Sequence, residues 1–464
     1  MKRRLILTAV LIVGWALSGC VPRKLFWSPD GKRVAVLGTE GLYLGDAEGN
    51  LSKMIAPHVS LVAWAPDSRR FLAAGLEEVK RFSALEPVLT REQKSRLVGL
   101  HEKLRSEILG YQGDWKDFSS SVQHALTGGE FMALLLYTLE HDDGKLAGKL
   151  GDQWKEAQKA SALVCRLTLY EVADGQAKAG PVLASWVDGV ADLRVSPNGE
   201  WVAITLPTAP SSDHGLGRLL VMPTGGGAQT LVADHVAAYS DWSPDGRSLY
   251  YGTTTSPQTS KDQSFTLGTL TRRQVIDPEG RLLSTLPEPE DIVGLMFWYE
   301  MKVRCLKDGR VLFSSGEVTL PSTKADMPQS PSLFFIDPAR QPTVSRILPK
   351  EADGRLEGLG LGQFELSPDE QRVVVLGSGS KEVSVITLAT GQITTIVAPK
   401  TGADDERVGC VPVWRSADEL SVLVGSKTEG ALPDRASVMV YTLEGKGRVL
   451  NRNWPDIFAA PTEK

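Results

Sequence analysis

"WSPDGKRVAV" fills residues 27–36, and "WSPDGRSLYY" returns at 242–251. In both, Ser-Pro-Asp-Gly stands between a short apolar segment and an uninterrupted apolar run. Ser suits the first position of a type I turn, Pro presets the backbone at the second, and Gly favours the fourth. The order dictates strand, tight turn, strand.

Working outward, the same grammar anchors at Asp30, Asp67, Asn198, Asp245, Asp308, Asp369 and Asp418. The fifth copy, "CLKDGRVLFSSG", and the seventh, "WRSADELSVLVG", are degenerate. The seventh carries one extra residue between Trp414 and its anchor, which reads as a bulge. Four to six residues past each anchor the side chains are apolar or Tyr, with Ser314 the one exception. A strand apolar at consecutive positions is covered on both faces, as in sheets stacked around a ring. Anchor spacings of 37, 131, 47, 63, 61 and 49 residues are mostly near propeller-blade length. Further strand-like runs, such as "GLYLGDAEG" with "LSKMIA", bring each repeat to about four strands.

The fold expected is therefore all-β: a seven-bladed β-propeller with a helical insertion in the second blade. The "WSPDGK" hairpin, its apolar strand and turns such as "DAEGN" and "TLATGQ" resemble the TolB-type, WD40-like propeller repeat. The resemblance covers nearly all of 24–456 apart from the insertion and implies a fold, since such blades serve scaffolds, peptidase gates and sensors alike. It does not extend to the amino-terminal α/β domain of TolB. The first blade reads as complete at 24–57, so no strand exchange between the termini is expected.

"MKRR" followed by "LILTAVLIVGWAL" has the basic start and apolar core of an export signal. "LSGC" at 17–20 resembles a bacterial lipobox, implying cleavage after Gly19 and acylation of Cys20 with palmitate-type chains. Several acyl chains would anchor the protein stably to a membrane. Loss of Lys2, Arg3 and Arg4 takes the formal charge from −5 to near −8. That balance excludes nucleic acid as a partner. Val21 rather than Asp after Cys20 favours the outer membrane if the source is an enteric-type Gram-negative bacterium. The expected address is the cell envelope, periplasm-facing or at the surface.

The division expected is 1–19 signal peptide, 20–75 first blade and start of the second, 76–160 helical insertion, 161–456 remaining blades, and 457–464 tail. The insertion holds one Pro, Pro87, among many helix formers. "TREQ" at 90–93 is a capping-box pattern, and Leu97, Leu100, Leu104 and Ile108 share one helical face. A second helix, broken or bent near Gly128 and Gly129, and a third over "KLAGKLGDQWKEAQKA" follow. The apolar "FMALLLYTL" at 131–139 reads as the core of a small bundle.

Catalytic grammar is missing: no G-x-S-x-G, H-E-x-x-H or P-loop pattern occurs. The six His residues, at 58, 101, 124, 141, 214 and 235, lack ligand spacing, and "EHDDG" at 140–144 reads as a solvated helix end. Cys165, Cys305 and Cys410 match no zinc pattern and read as buried thiols, with one disulfide open as the alternative. No catalytic, metal or cofactor-binding residue is assigned and no cofactor is expected; the one site residue is Cys20, for lipid attachment. The function expected is a lipid-anchored, non-enzymatic scaffold or binding protein for an envelope protein or cell-wall component. The alternatives are a hydrolase or lyase with its site at the central propeller mouth, and a small-molecule or peptidoglycan sensor.

Overall fold

The computed structural model describes residues 23–110, 127–207, 217–259, 264–297, 302–315, 317–319, 332–338, 344–348, 364–377, 382–397, 406–408, 410–426, 436–452 and 454–458. The first sheet joins β1 (Leu25–Trp27), β2 (Arg33–Leu37), β3 (Gly41–Asp46) and β4 (Ala56–Pro57) in sequence order. The second joins β5 (Val59–Trp64), β6 (Arg70–Val79), β7 (Ala162–Ala173) and β8 (Gln176–Trp186). An eight-stranded sheet contains β9 (Asp192–Val195), β10 (Trp201–Pro207), β11 (Gly217–Pro223), β12 (Thr230–Trp242), β13 (Ser248–Thr259), β14 (Ser264–Gln274) and β15 (Glu290–Phe297). Next come β16 (Val303–Cys305), β17 (Val311–Ser315), β18 (Glu317–Thr319), β19 (Ser332–Ile336) and β20 (Val344–Arg346). Of these, β18 pairs onto β15 and completes the eight-stranded sheet, while the other four form their own. The last two sheets are β21 (Glu365–Leu366), β22 (Arg372–Leu376), β23 (Val383–Thr387), β24 (Ile393–Val397), then β25 (Glu406–Val408), β26 (Val413–Trp414), β27 (Glu419–Ser426), β28 (Ala436–Thr442) and β29 (Gly447–Val449).

Strand periodicity explains how these sheets become a ring. Successive side chains of a strand point to opposite faces. Val34 and Val36 of β2 join a cluster with Val413, Leu423 and Val440 of the last sheet, whereas Ala35 and Leu37 join Phe71 and Ala73 of the second. Leu72 and Ala74 then pack with Val202 and Ile204, Ala203 with Leu249 and Tyr251, and Tyr250 with Val311 and Phe313. Leu312 meets Val373 and Val375, and Val374 meets Leu420 and Val422. Each second strand is thus divided between two neighbours, and the series returns to its start. The first strands also touch in sequence, β1 to β5, β5 to β9, β9 to β12, β12 to β16, β21 to β26 and β26 to β1, so they surround the axis. Fourth strands form the rim: β29 is exposed throughout and β24 at Thr394 and Thr395. The molecule is a β-propeller.

One strand departs from the expectation of a separate sheet per repeat. The Thr230–Val236 half of β12 pairs with β11, and its Ser240–Trp242 half pairs with β13 after an irregularity between Val236 and Ser240. The same strand is the rim of one unit and the inner strand of the next.

The hairpins follow the turn chemistry. Ser28 Oγ accepts the Arg33 amide at 3.0 Å and donates to Asp30 Oδ1 at 2.6 Å, and Ser243 and Ser367 repeat the arrangement with Asp245 and Asp369. Gly31 takes φ +67, and Ser68 and Glu370 hold the same left-handed position without glycine's freedom. The fifth and seventh hairpins are one residue shorter: Trp27 faces Val34, but Cys305 faces Val311 and Trp414 faces Leu420. The expected bulge after Trp414 is therefore a shortened turn. The motif tryptophans reach backwards to the preceding unit. Trp64 Nε1 donates to Phe26 O at 2.8 Å, Trp242 to Arg194 O at 2.9 Å and Trp414 to Glu365 O at 2.8 Å. Trp27 closes the circle on Ser421 Oγ at 2.8 Å.

Among the described residues the first and last sheets are each built from one end of the chain, with no strand exchanged between them. Their joint is sealed by the tail: Trp454 Nε1 donates to Gly49 O at 2.8 Å and Thr39 N to Ile457 O at 2.7 Å. Ile457 and Phe458 are buried in the joint, so the packed body extends past residue 456.

The insertion lies between β6 and β7. Both strands run further than the sequence shows, Val79 still pairing with Ala162, so the helical part begins at residue 80 rather than 76. It comprises α1 (Phe82–Leu85), α2 (Arg91–Gly110), α3 (Gly128–His141), α4 (Lys145–Leu150) and α5 (Asp152–Ala157). Thr90 and Gln93 exchange the two bonds of a capping box at 3.1 and 3.0 Å. A second box, Thr127 with Glu130, starts α3 at Gly128, where a bend was expected. Leu134 and Leu136 pack with Phe82, Leu85 and Leu97 and with Val79, Val164 and Val187 of the propeller, making 131–139 a core segment. Leu100 packs against that core; the side chains of Leu104 and Ile108 lie outside the described residues.

Candidate functional site

Aligned on the turn, the residue two places before its first position lies on the inner strand. In chain order these residues are Phe26, Ala63, Arg194, Asp241, Arg304, Glu365 and Val413. Four consecutive repeats thus place Arg, Asp, Arg and Glu at one height around the axis. Asp192 lies two residues before Arg194 in β9, Lys302 two residues before Arg304 just ahead of β16, and Arg23 precedes β1.

These charges meet. Glu365 Oε1 accepts Lys302 Nζ at 2.7 Å and Arg23 Nη1 at 3.0 Å. Arg194 Nε pairs with Asp192 Oδ2 at 3.1 Å. Asp241 Oδ2 accepts the Cys305 amide at 2.9 Å, tying the fourth inner strand to the fifth. Arg304 donates through Nη1 to Val303 O at 2.8 Å, while its Nη2 is buried, has no hydrogen-bond partner and stands 4.0 Å from Glu365 Oε2. Lys302 Nζ also lies 5.4 Å from the Tyr239 ring centre and 5.8 Å from that of Phe364. Ser314, the exception in the apolar column, accepts the Lys302 amide through Oγ at 3.1 Å.

Burial sets the electrostatics. Lys302 is 3% exposed, Arg304 6% and Glu365 8%, so solvent screens little between them. Burial opposes the Glu365 carboxylate, but Arg23, Lys302, Arg304 and Arg194 outweigh it and hold the group well below the usual carboxylate range. Burial pushes the Lys302 amine down to about 7, with Glu365 offsetting only part of the effect. Burial also lowers Arg304, whereas at Arg194 the neighbouring Asp192, Asp241 and Glu365 overcome burial and raise its pKa.

None of these residues was singled out from the sequence. Their signal is a charge at a fixed offset before the turn, in strands otherwise read as apolar. Cys20, assigned to lipid attachment, lies outside the described residues. Cys165 and Cys410 are buried free thiols, pushed by burial to about 12 and about 11 respectively, and Cys305 is a partly buried one. Within "EHDDG", Glu140 accepts the amides of Phe82 and Ser83 at 2.8 and 3.2 Å, and Asp142 those of Leu146 and Ala147 at 3.1 Å. These carboxylates cap helices. His101 is buried against Thr138 Oγ1 at 3.1 Å, His141 stacks on Tyr137, and His124 and His214 lie outside the described residues. Among the described residues no group of His, Cys, Asp or Glu is gathered for a metal, and no helix is long and apolar enough to cross a membrane.

Fold and site together define a β-propeller with a charged axial cluster. No family model and no curated protein matches the chain. Solved structures that it resembles include hydrazine synthase of Kuenenia stuttgartiensis, at 13% identity and a TM-score of 0.41, covering 79% of this chain and 77% of that one. The β-propeller domain of Cps50 (Swd1) from Myceliophteria thermophila is similar at 11% identity and a TM-score of 0.43, covering 88% and 98%. Oligogalacturonate lyase of Vibrio parahaemolyticus is similar at 12% identity and a TM-score of 0.39, covering 78% and 75%.

Proposed function

We propose that the protein is a lipid-anchored, non-enzymatic, seven-bladed propeller of TolB type in the bacterial cell envelope, the eight-stranded sheet counting as two blades. It binds another envelope component through its axial mouth or the face bearing the helical insertion. Binding is favoured over catalysis by one observation: each axial carboxylate is already engaged, Glu365 by two cations, Asp192 by Arg194 and Asp241 by a backbone amide. Groups engaged in this way hold shape rather than exchange protons. The anchor rests on the basic, apolar and "LSGC" segments before residue 21.

Crosslinking in intact cells, followed by capture of the full chain and of an unrelated lipoprotein, tests the binding role. A partner specific to the full chain is expected; identical partner sets would count against it. Labelled palmitate should enter the parent and not Cys20→Ala, and equal labelling would remove the anchor from the proposal.

A second reading, an enzyme acting at the mouth, is favoured by Lys302. An amine lowered to about 7 beside a carboxylate 2.7 Å away is the kind of group that serves as a general base. Turnover of any compound in a substrate panel by the parent, lost in a folded Lys302→Met variant, would support it.

A further inference from the structure

We propose that the propeller face bearing the helical insertion is the surface applied to the lipid headgroups of the bilayer, an orientation that rests on the acyl anchor at Cys20 proposed above.

Strand direction decides which features share a face. Neighbouring strands of the first two sheets are all antiparallel. The chain therefore enters β1, turns between β2 and β3, passes from β4 to β5 and leaves β6 for the insertion on one face. The Ser-Pro-Asp-Gly turns lie on the other. Hydrogen bonds tie the points of the first face together. Lys24 O accepts the Leu37 amide at 2.8 Å, Glu40 O that of His58 at 3.0 Å, and His58 O that of Leu76 at 2.9 Å. The link from β8 to β9 comes to the same face. There Asp188 accepts Thr127 Oγ1 at 2.9 Å and the Gly129 amide at 3.0 Å, at the start of α3. The insertion is thus fastened to the side on which the chain begins its first strand.

A short tether brings that side to the membrane. Arg23 is pinned near the axis on Glu365 at 3.0 Å, and Lys24 beside it is buried. Cys20 stands three residues before Arg23. Three trans peptide steps cannot carry their Cα atoms more than about 11 Å apart. An acylated Cys20 therefore holds the entry face at the headgroups close to its centre. The five residues of β2 set the turn at their other end about 17 Å further along the strand. Residues 80–160 carry 12 Lys and Arg and 12 Asp and Glu, so charge neither draws the insertion to anionic lipid nor repels it. The tether decides the approach, and the turn-bearing face is left to the aqueous side.

The test uses the full chain, made with its own leader in a host that acylates lipoproteins. It is reconstituted into vesicles of phosphatidylethanolamine and phosphatidylglycerol containing a nitroxide linked to the headgroup, a quencher that acts only at short range. Fluorophores are placed on Glu40→Cys and Gly189→Cys, on the insertion-bearing face, and on Lys32→Cys, on the opposite one. All three positions are exposed, and a β-carbon at Gly189 meets nothing within 4 Å. The parent, whose thiols at 165, 305 and 410 are buried or partly buried, is the labelling blank. Labels at 40 and 189 should be quenched several-fold more than the label at 32. Equal quenching on the two faces, or stronger quenching at 32, in chains that mass spectrometry shows to be acylated would overturn the orientation and leave the anchor intact. Chains with no acyl group on Cys20 that fail to float with the vesicles would remove the anchor, and the orientation with it.

Discussion

Glu365 answers two cations from distant parts of the chain, Lys302 being 63 residues away and Arg23 342. Removing one member of such a buried set leaves the others uncompensated, which costs about 3–5 kcal/mol. Glu365→Gln should lose about that much in denaturant unfolding, and acid should imitate it. Because the folded state holds Glu365 below its ordinary value of 4.5, its contribution is present above that value and lost as pH falls through the lower, folded pKa. Lys302 works in the opposite direction. Its folded pKa of about 7 lies below the ordinary 10.5, so between those values the unfolded chain binds the extra proton. Stability should therefore rise with pH across that window, and Lys302→Met should flatten the rise measured by urea unfolding from pH 7 to 10.

Among the elements, α3 meets the propeller most closely at Gly129. A β-carbon there would fall 1.7 Å from Val187 O, and the Gly129 amide donates to Asp188 Oδ1 at 3.0 Å. Gly129→Ala should cost about 1–3 kcal/mol by overpacking, with α3 amides losing hydrogen-exchange protection and the sheets retaining theirs. The elements themselves were largely legible in the sequence. Ser-Pro-Asp-Gly specifies its own turn through local bonds, and Val-Ala-Val needs cover on both faces wherever it sits, so hairpins and stacking follow from short range. The two shortened hairpins eluded that reading because their anchors were aligned on Asp, while strand pairing sets the register. Arg194 in "DLRVSPNG" and Glu365 in "FELSPDE" each look like a stray charge beside a strand. Their meaning is a meeting around the axis with charged residues of other repeats, Asp241 and Glu365 for Arg194, and Lys302, Arg304 and Arg23 for Glu365, and no local pattern encodes it. The merger of two units through β12 was hidden for a related reason: the sequence shows two strands' worth of residues but not that the chain passes between them without turning.

For the whole molecule, the joint between the first and last sheets decides whether the ring exists. Phe458 is 1% exposed within it, so Phe458→Ala should cost about 3–5 kcal/mol by the usual scale for buried aromatics. Val449→Ala, at an exposed position of the rim strand β29, should pass almost unnoticed in thermal unfolding. The segment that seals this joint follows every strand of the ring in the chain, so it leaves the ribosome after all of them. Until Trp454, Ile457 and Phe458 arrive, Val34 and Val36 on one flank and Leu423 and Val440 on the other have only incomplete cover. A nascent arc therefore carries two sticky ends of matching shape, and a neighbouring unfinished copy offers the same complement as its own missing tail. Crowded synthesis should accordingly favour chains joined end to end, a hazard that vanishes once Trp454, Ile457 and Phe458 dock.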